Sequence, residues 1–105
     1  MELDRSYEIR EKHRLRPPSR WGVKFYNDDI TSFEDVMWIM CNIFKLDILH
    51  AFDFTNRVHK EGSAIIGNYD RDMAETKVDE VKHRVKEIKK PLRVEAVKLE
   101  EDDEI

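Results

Sequence analysis

The chain predicts an α+β domain in which a small sheet is covered by three helices, in the order β-α-α-β-α-β. Three observations carry that expectation. Residues 21–26 alternate apolar and polar side chains at the period of a half-buried strand. Three later segments repeat apolar residues at helical spacing behind capping residues, and Gly62 and Pro91 end the second and third of them. At 105 residues, 40% of them hydrophobic, the chain has room for one core.

Trp21, Val23 and Phe25 face one way in the first strand, and Gly22, Lys24 and Tyr26 the other. Asn27, Asp28 and Asp29 then break the alternation with residues that favour turns. Thr31 and Glu34 have the spacing of a capping box, so a helix is expected from Ser32 to Phe44 with Phe33, Val36, Met37, Met40 and Phe44 on its apolar face. Asp47 caps a second helix from Ile48 to Lys60, which Gly62 ends. Ala64-Ile65-Ile66 reads as a short buried strand within Ser63 to Tyr69. Asp70 caps a third helix that turns Met73, Val78, Val81, Val85 and Ile88 inward and stops at Pro91. Leu92, Val94 and Ala96, or alternatively Val97 and Leu99, form the inner face of the last strand.

Around this domain, expected over residues 17–99, lie an opening arm (1–16) and an acidic tail (100–105). The arm mixes acids and bases with few apolar residues and meets a stiff Pro17-Pro18 hinge. The tail holds Glu100, Glu101, Asp102, Asp103 and Glu104; without it the formal charge of −4 becomes about +1. A near-neutral domain with an acidic end does not suit nucleic acid. The apolar runs are too short and too often interrupted to span a membrane, and no leader pattern opens the chain, so a soluble cytoplasmic protein is expected. Cys41 is alone, which excludes an internal disulfide and a Cys-based zinc site, and its apolar neighbours make it core filler. Asp79 and His83 lie four apart on a helix, but two donors do not make a metal site. Neither a metal nor a cofactor is expected. No phosphate loop and no nucleophile turn is present, so no enzyme is expected either.

Two features are left with chemistry to place. Asn27, Asp28 and Asp29 put an amide and two carboxylates at a strand-to-helix corner, which is either ordinary turn chemistry or a display of acceptors to a ligand. His59, near the end of the second helix, is either a structural histidine or a contributor to the same place.

Pro17-Pro18-Ser19, Asn27-Asp28-Asp29, Thr31, Val58-His59, Gly62, Gly67, Ala74-Glu75-Thr76-Lys77-Val78 and Pro91-Leu92 together resemble the Clp protease adaptor family, ClpS, without obvious gaps from Pro17 to about Leu99. The resemblance implies a three-stranded antiparallel sheet packed with three helices. It also implies an adaptor that binds the free α-amino group and bulky first residue of N-degron substrates and hands them to a ring-shaped Clp AAA+ unfoldase. The α-amine site would comprise Asn27, Asp28, Asp29 and His59, since an ammonium offers three donors and no acceptor. The first side chain would enter a pocket lined by Ile30, Thr31, Phe33, Val36, Thr55, Val58 and Leu92. Asp72, Glu75 and Lys77 would dock the unfoldase's N-terminal domain, with the adaptor itself a monomer.

Two positions depart from the family pattern. Phe33 stands where Met is usual, and Thr55 where a larger apolar residue such as Met is usual. A stiffer, bulkier Phe33 favours Leu, Phe, Tyr and Trp over β-branched Ile and Val. Two other readings stay open. One is a degron-independent modulator or inhibitor that docks the unfoldase. The other is a different interaction module on this fold, which also resembles the ribosomal stalk protein's C-terminal domain.

Overall fold

The computed structural model describes residues 18–99; the arm and the tail lie outside the described residues. The elements are β1 (Trp21–Tyr26), α1 (Phe33–Asn42), α2 (Ile48–Glu61), β2 (Ser63–Tyr69), α3 (Arg71–Ile88) and β3 (Arg93–Lys98). The sheet is antiparallel in the order β2-β1-β3. The order of elements and the antiparallel sheet are those expected.

The strand with the cleanest alternation, β1, is the central one. Val23 and Phe25 are fully buried, and the Phe25 ring meets Phe44 and Phe54 edge-on at 5.8 and 5.5 Å. Phe44 and Phe54 lie just past α1 and within α2, so one strand residue pins both helices over the sheet. α1 packs against α2, and α3 lies across β1 and β3. Gly22 is required where β2 passes: a Cβ there would sit 2.6 Å from Ile65 Cγ2 and 3.1 Å from the Ile66 carbonyl oxygen. The register slips between Trp21 and Val23, beside Gly67 at φ +100°.

The structure corrects several details. The capping box of α1 is Ser32 with Asp35: Asp35 N–H donates to Ser32 Oγ and Ser32 N–H to Asp35 Oδ2, both at 3.1 Å. Thr31 is held by Asp28 instead. Helix α1 stops at Asn42, yet Phe44 remains buried. Ala74, not Met73, faces inward from α3, since Met73 is 45% exposed. That helix ends before Pro91 acts, with Lys89 left-handed at φ 56° and its N–H donating to Lys86 O and Val85 O. The Ala64-Ile65-Ile66 strand is an edge, with Ile65 42% exposed, and Cys41 is only half-buried. Asp47 and Asp70 cap α2 and α3 as expected, and Gly62 at φ 90° closes α2. Of the two registers open for the last strand, Leu92 and Val94 are the buried pair.

Candidate functional site

The corner after β1 is built by its own side chains. Asp28 Oδ1 accepts from the N–H groups of Ile30 (2.8 Å) and Thr31 (2.6 Å), and Oδ2 accepts from the Thr31 hydroxyl (2.9 Å). Asn27 N–H donates to the Gly62 carbonyl at 2.9 Å, which ties the end of β1 to the end of α2. His59, three residues before Gly62, is thereby brought to the same corner. Burial pushes the Asp28 carboxyl upward. The hydrogen bonds from Thr31 and Ile30, with the Lys90 ammonium nearby, outweigh it and hold the group below its ordinary value of 3.8. Asp28 is therefore a carboxylate at neutral pH. Its three bonds occupy three of about four lone-pair sites, leaving one direction on Oδ2 for a ligand donor.

One cleft gathers nine of the eleven residues expected at the amine site and pocket: Asn27, Asp28 and His59 at its polar mouth, with Thr31, Phe33, Val36, Thr55, Val58 and Leu92 around it. Asp29 and Ile30 do not line it, and Ile30 is 62% exposed. Asp28 holds the N–H groups that follow it, so the chain turns inward at Thr31 and leaves Asp29 and Ile30 at the rim. Tyr26 and Ser32 also line the cleft and were missed. Each adjoins an expected residue in sequence, which was the available signal. The Tyr26 hydroxyl donates to Glu95, and the Arg93 guanidinium lies 4.4 Å from its ring centroid.

The apolar wall is made by α1 and α2 facing each other. Thr55 belongs there despite its hydroxyl, which donates to Ala51 O at 2.8 Å and is thereby satisfied within the helix. The Phe33 ring stands at the mouth, 5.3 Å from the Phe52 ring and edge-on to His59 at 6.0 Å. The cavity amounts to about 10 Å³, close to the volume one water needs.

The residues expected to meet the unfoldase divide. Asp72 and Glu75 are exposed at the start of α3, and Glu75 pairs with Arg71 at 3.0 Å. Lys77 is turned inward: its Nζ donates to Ile43 O at 2.9 Å and stands 3.6 Å from Glu80. It braces α3 against the carbonyl end of α1. Among the described residues, no group of three or more His, Cys, Asp or Glu is placed to hold a metal. No helix among them is long and apolar enough to cross a membrane.

Comparison with known proteins converges on one family. A family model described as ATP-dependent Clp protease adaptor protein ClpS matches residues 16–95. The ATP-dependent Clp protease adapter protein ClpS of Vibrio atlanticus is 40% identical over 83 residues, 79% of this chain and 78% of that one. Its counterpart in Burkholderia mallei is 37% identical over 90 residues, 86% of each chain. The solved structure of Agrobacterium tumefaciens ClpS2 bound to L-phenylalaninamide superposes with a TM-score of 0.75 at 29% identity, covering 79% of this chain and all of that one.

Proposed function

The chain belongs to the ClpS family of ATP-dependent Clp protease adaptors, and we propose that it captures the free α-amino group and bulky first residue of N-degron substrates for delivery to a Clp unfoldase. The observation that carries the reading is the cleft. An ionised Asp28, the Asn27 amide and His59 share its mouth, and Val36, Val58 and Leu92 form apolar walls. L-Phenylalaninamide, the ligand of the Agrobacterium relative, combines a primary amine with an aromatic side chain, the two chemistries this cleft offers to meet. An ammonium about 4 Å from the Asp28 carboxylate is attracted by roughly 4 kcal/mol at an effective dielectric near 20, before desolvation and ordering are subtracted. An acetylated terminus loses that charge and leaves the acceptors unpaired.

The present cavity holds no more than about one water, so the lining must move for a bulky side chain to enter, and Phe33 is the residue whose rotation would open it. Rotation about χ1 leaves the helix intact. Asp72 and Glu75 offer the exposed acidic face for the unfoldase's N-terminal domain, and Lys77 acts by holding that face in place. The adaptor works as a cytoplasmic monomer without a cofactor, and catalysis belongs to its partner.

The narrow cleft favours a second reading, in which the chain docks the unfoldase without taking a degron and modulates it. Fluorescence anisotropy with peptides differing only in the first residue separates the two. Binding of Phe- and Leu-first peptides, with none to Gly-first or acetylated controls, is expected. Unfoldase binding with no peptide binding selects the modulator.

A further inference from the structure

We propose that α2 extends the degron site with an apolar stripe, Phe52 and Ile48 flanked by Leu49, that takes apolar side chains of the substrate from about its third to sixth residues. The proposal rests on reading the cleft as an N-degron site.

Ile48, Phe52 and His59 follow one another at spacings of four and seven, with Thr55 between, so all four project within an arc of about 60° at 3.6 residues per turn. The stripe is thus continuous with a pocket wall, Thr55, and with the mouth, His59. Phe52 also touches Phe33, the ring at that mouth. Among the described residues the stripe has no cover beyond Phe33: Phe52 is 50% exposed, Ile48 64% and Leu49 76%. The first turn of α2 carries no acidic residue. Ile48 and Phe52 one turn apart, with Leu49 beside Ile48, form a contiguous apolar patch of the kind that marks a binding surface.

The dimensions fit an extended chain leaving the cleft. At 1.5 Å per residue, Phe52 lies about 10 Å and Ile48 about 16 Å along the helix from His59. At about 3.3 Å per residue, a strand starting at the mouth passes Phe52 near its third or fourth residue and Ile48 near its fifth or sixth. A first residue alone therefore uses only one end of the surface.

The test uses the full chain and short Phe-first peptides, otherwise Gly and Ser, with Leu or Ser placed at positions three to six. Leu is expected to tighten binding by about threefold or more at a position facing the stripe, from partial burial of its side chain. Ile48→Ser with Leu49→Ser should erase the increment at the far positions, and Phe52→Ser that at the near ones, both judged by the ratio of Leu to Ser affinities. A Leu-to-Ser ratio of one at all four positions in the parent overturns the proposal, as does an increment that survives in every variant. If first-residue dependence persists while this scan is flat, only the extension fails; if both are flat, the reading of the cleft fails with it. A flat scan together with self-association that Ile48→Ser and Leu49→Ser abolish, seen by sedimentation, assigns the stripe to a second copy and also overturns it.

Discussion

Each oxygen of the Asp28 carboxylate is engaged by the corner it stabilises before any ligand arrives, Oδ1 by two N–H groups and Oδ2 by the Thr31 hydroxyl. Charge and scaffold can be separated by substitution. Asp28→Asn keeps an acceptor for the N–H groups and removes the charge, whereas Asp28→Ala removes both. Both are expected to weaken a free-amine peptide by about 1–3 kcal/mol; Asp28→Asn gives up the stabilisation carried by the charge, and Asp28→Ala is expected to lower stability by about 1 kcal/mol more, read by chemical denaturation. Parent-like peptide affinity in both variants would remove Asp28 from the site. The same carboxylate makes a pH signature. Its folded pKa lies below 3.8, so its stabilising contribution is complete above 3.8 and disappears as pH falls through the folded value. Between pH 4 and pH 2 the parent's unfolding free energy should therefore fall more steeply than that of Asp28→Asn. Most of the residues lining this cleft come into the sequence reading through family resemblance, whereas the corner's wiring has no signal there. Thr31 with Glu34 and Ser32 with Asp35 have identical spacing, and the choice between them is made by Asp28, which claims the Thr31 hydroxyl.

At the level of elements, the Phe33 ring of α1 meets Phe52 and His59 of α2, and on the proposed reading this contact governs which first residues the cleft takes. A β-branched first residue carries its bulk at Cβ, and a stiff ring at Phe33 would leave less room beside it, so peptides beginning with Leu or Phe should bind several-fold better than those beginning with Val or Ile. Phe33→Ala is expected to bring the Leu-to-Val affinity ratio towards one; equal affinities in the parent would show that Phe33 does not gate. The helices themselves were readable because caps and periodicity are local. Exposure was less so. Helical spacing groups Ile48, Phe52 and Met73 with true core residues, but the small sheet offers no surface to cover them. The Ala64-Ile65-Ile66 strand has the composition of a buried one, and only the sheet order β2-β1-β3 makes it an edge. That order is a long-range property that no local pattern carries; the family resemblance implied an antiparallel sheet but not the order of its strands.

Across the whole molecule the two proposed surfaces stand at opposite ends of β1. The cleft begins at Tyr26 and Asn27, where β1 ends, while the Arg71 guanidinium lies 5.0 Å from the Trp21 ring centroid and so places the first turn of α3 at the strand's start. Five residue steps of about 3.3 Å put these ends about 17 Å apart, longer than the Debye length of about 8 Å at physiological salt. Charges at one end are therefore screened from the other, and on the proposed assignment substrate and unfoldase would have room to bind together. Asp72→Ala with Glu75→Ala should reduce affinity for the unfoldase's N-terminal domain while leaving peptide affinity within about 0.5 kcal/mol of the parent, and Asp28→Asn should do the converse. Lys77→Ala belongs to neither class. Losing its bond to Ile43 O should lower thermal stability, and it should weaken unfoldase binding only to the extent that the α3 face shifts. Isothermal titration of each variant with peptide, with the unfoldase domain, and with the domain after saturation by peptide provides the whole comparison. Coupling larger than that margin between the two ligands in the parent would mean that the ends communicate through the packed core, and the adaptor would then be a switch set by its cargo, not a rigid bridge.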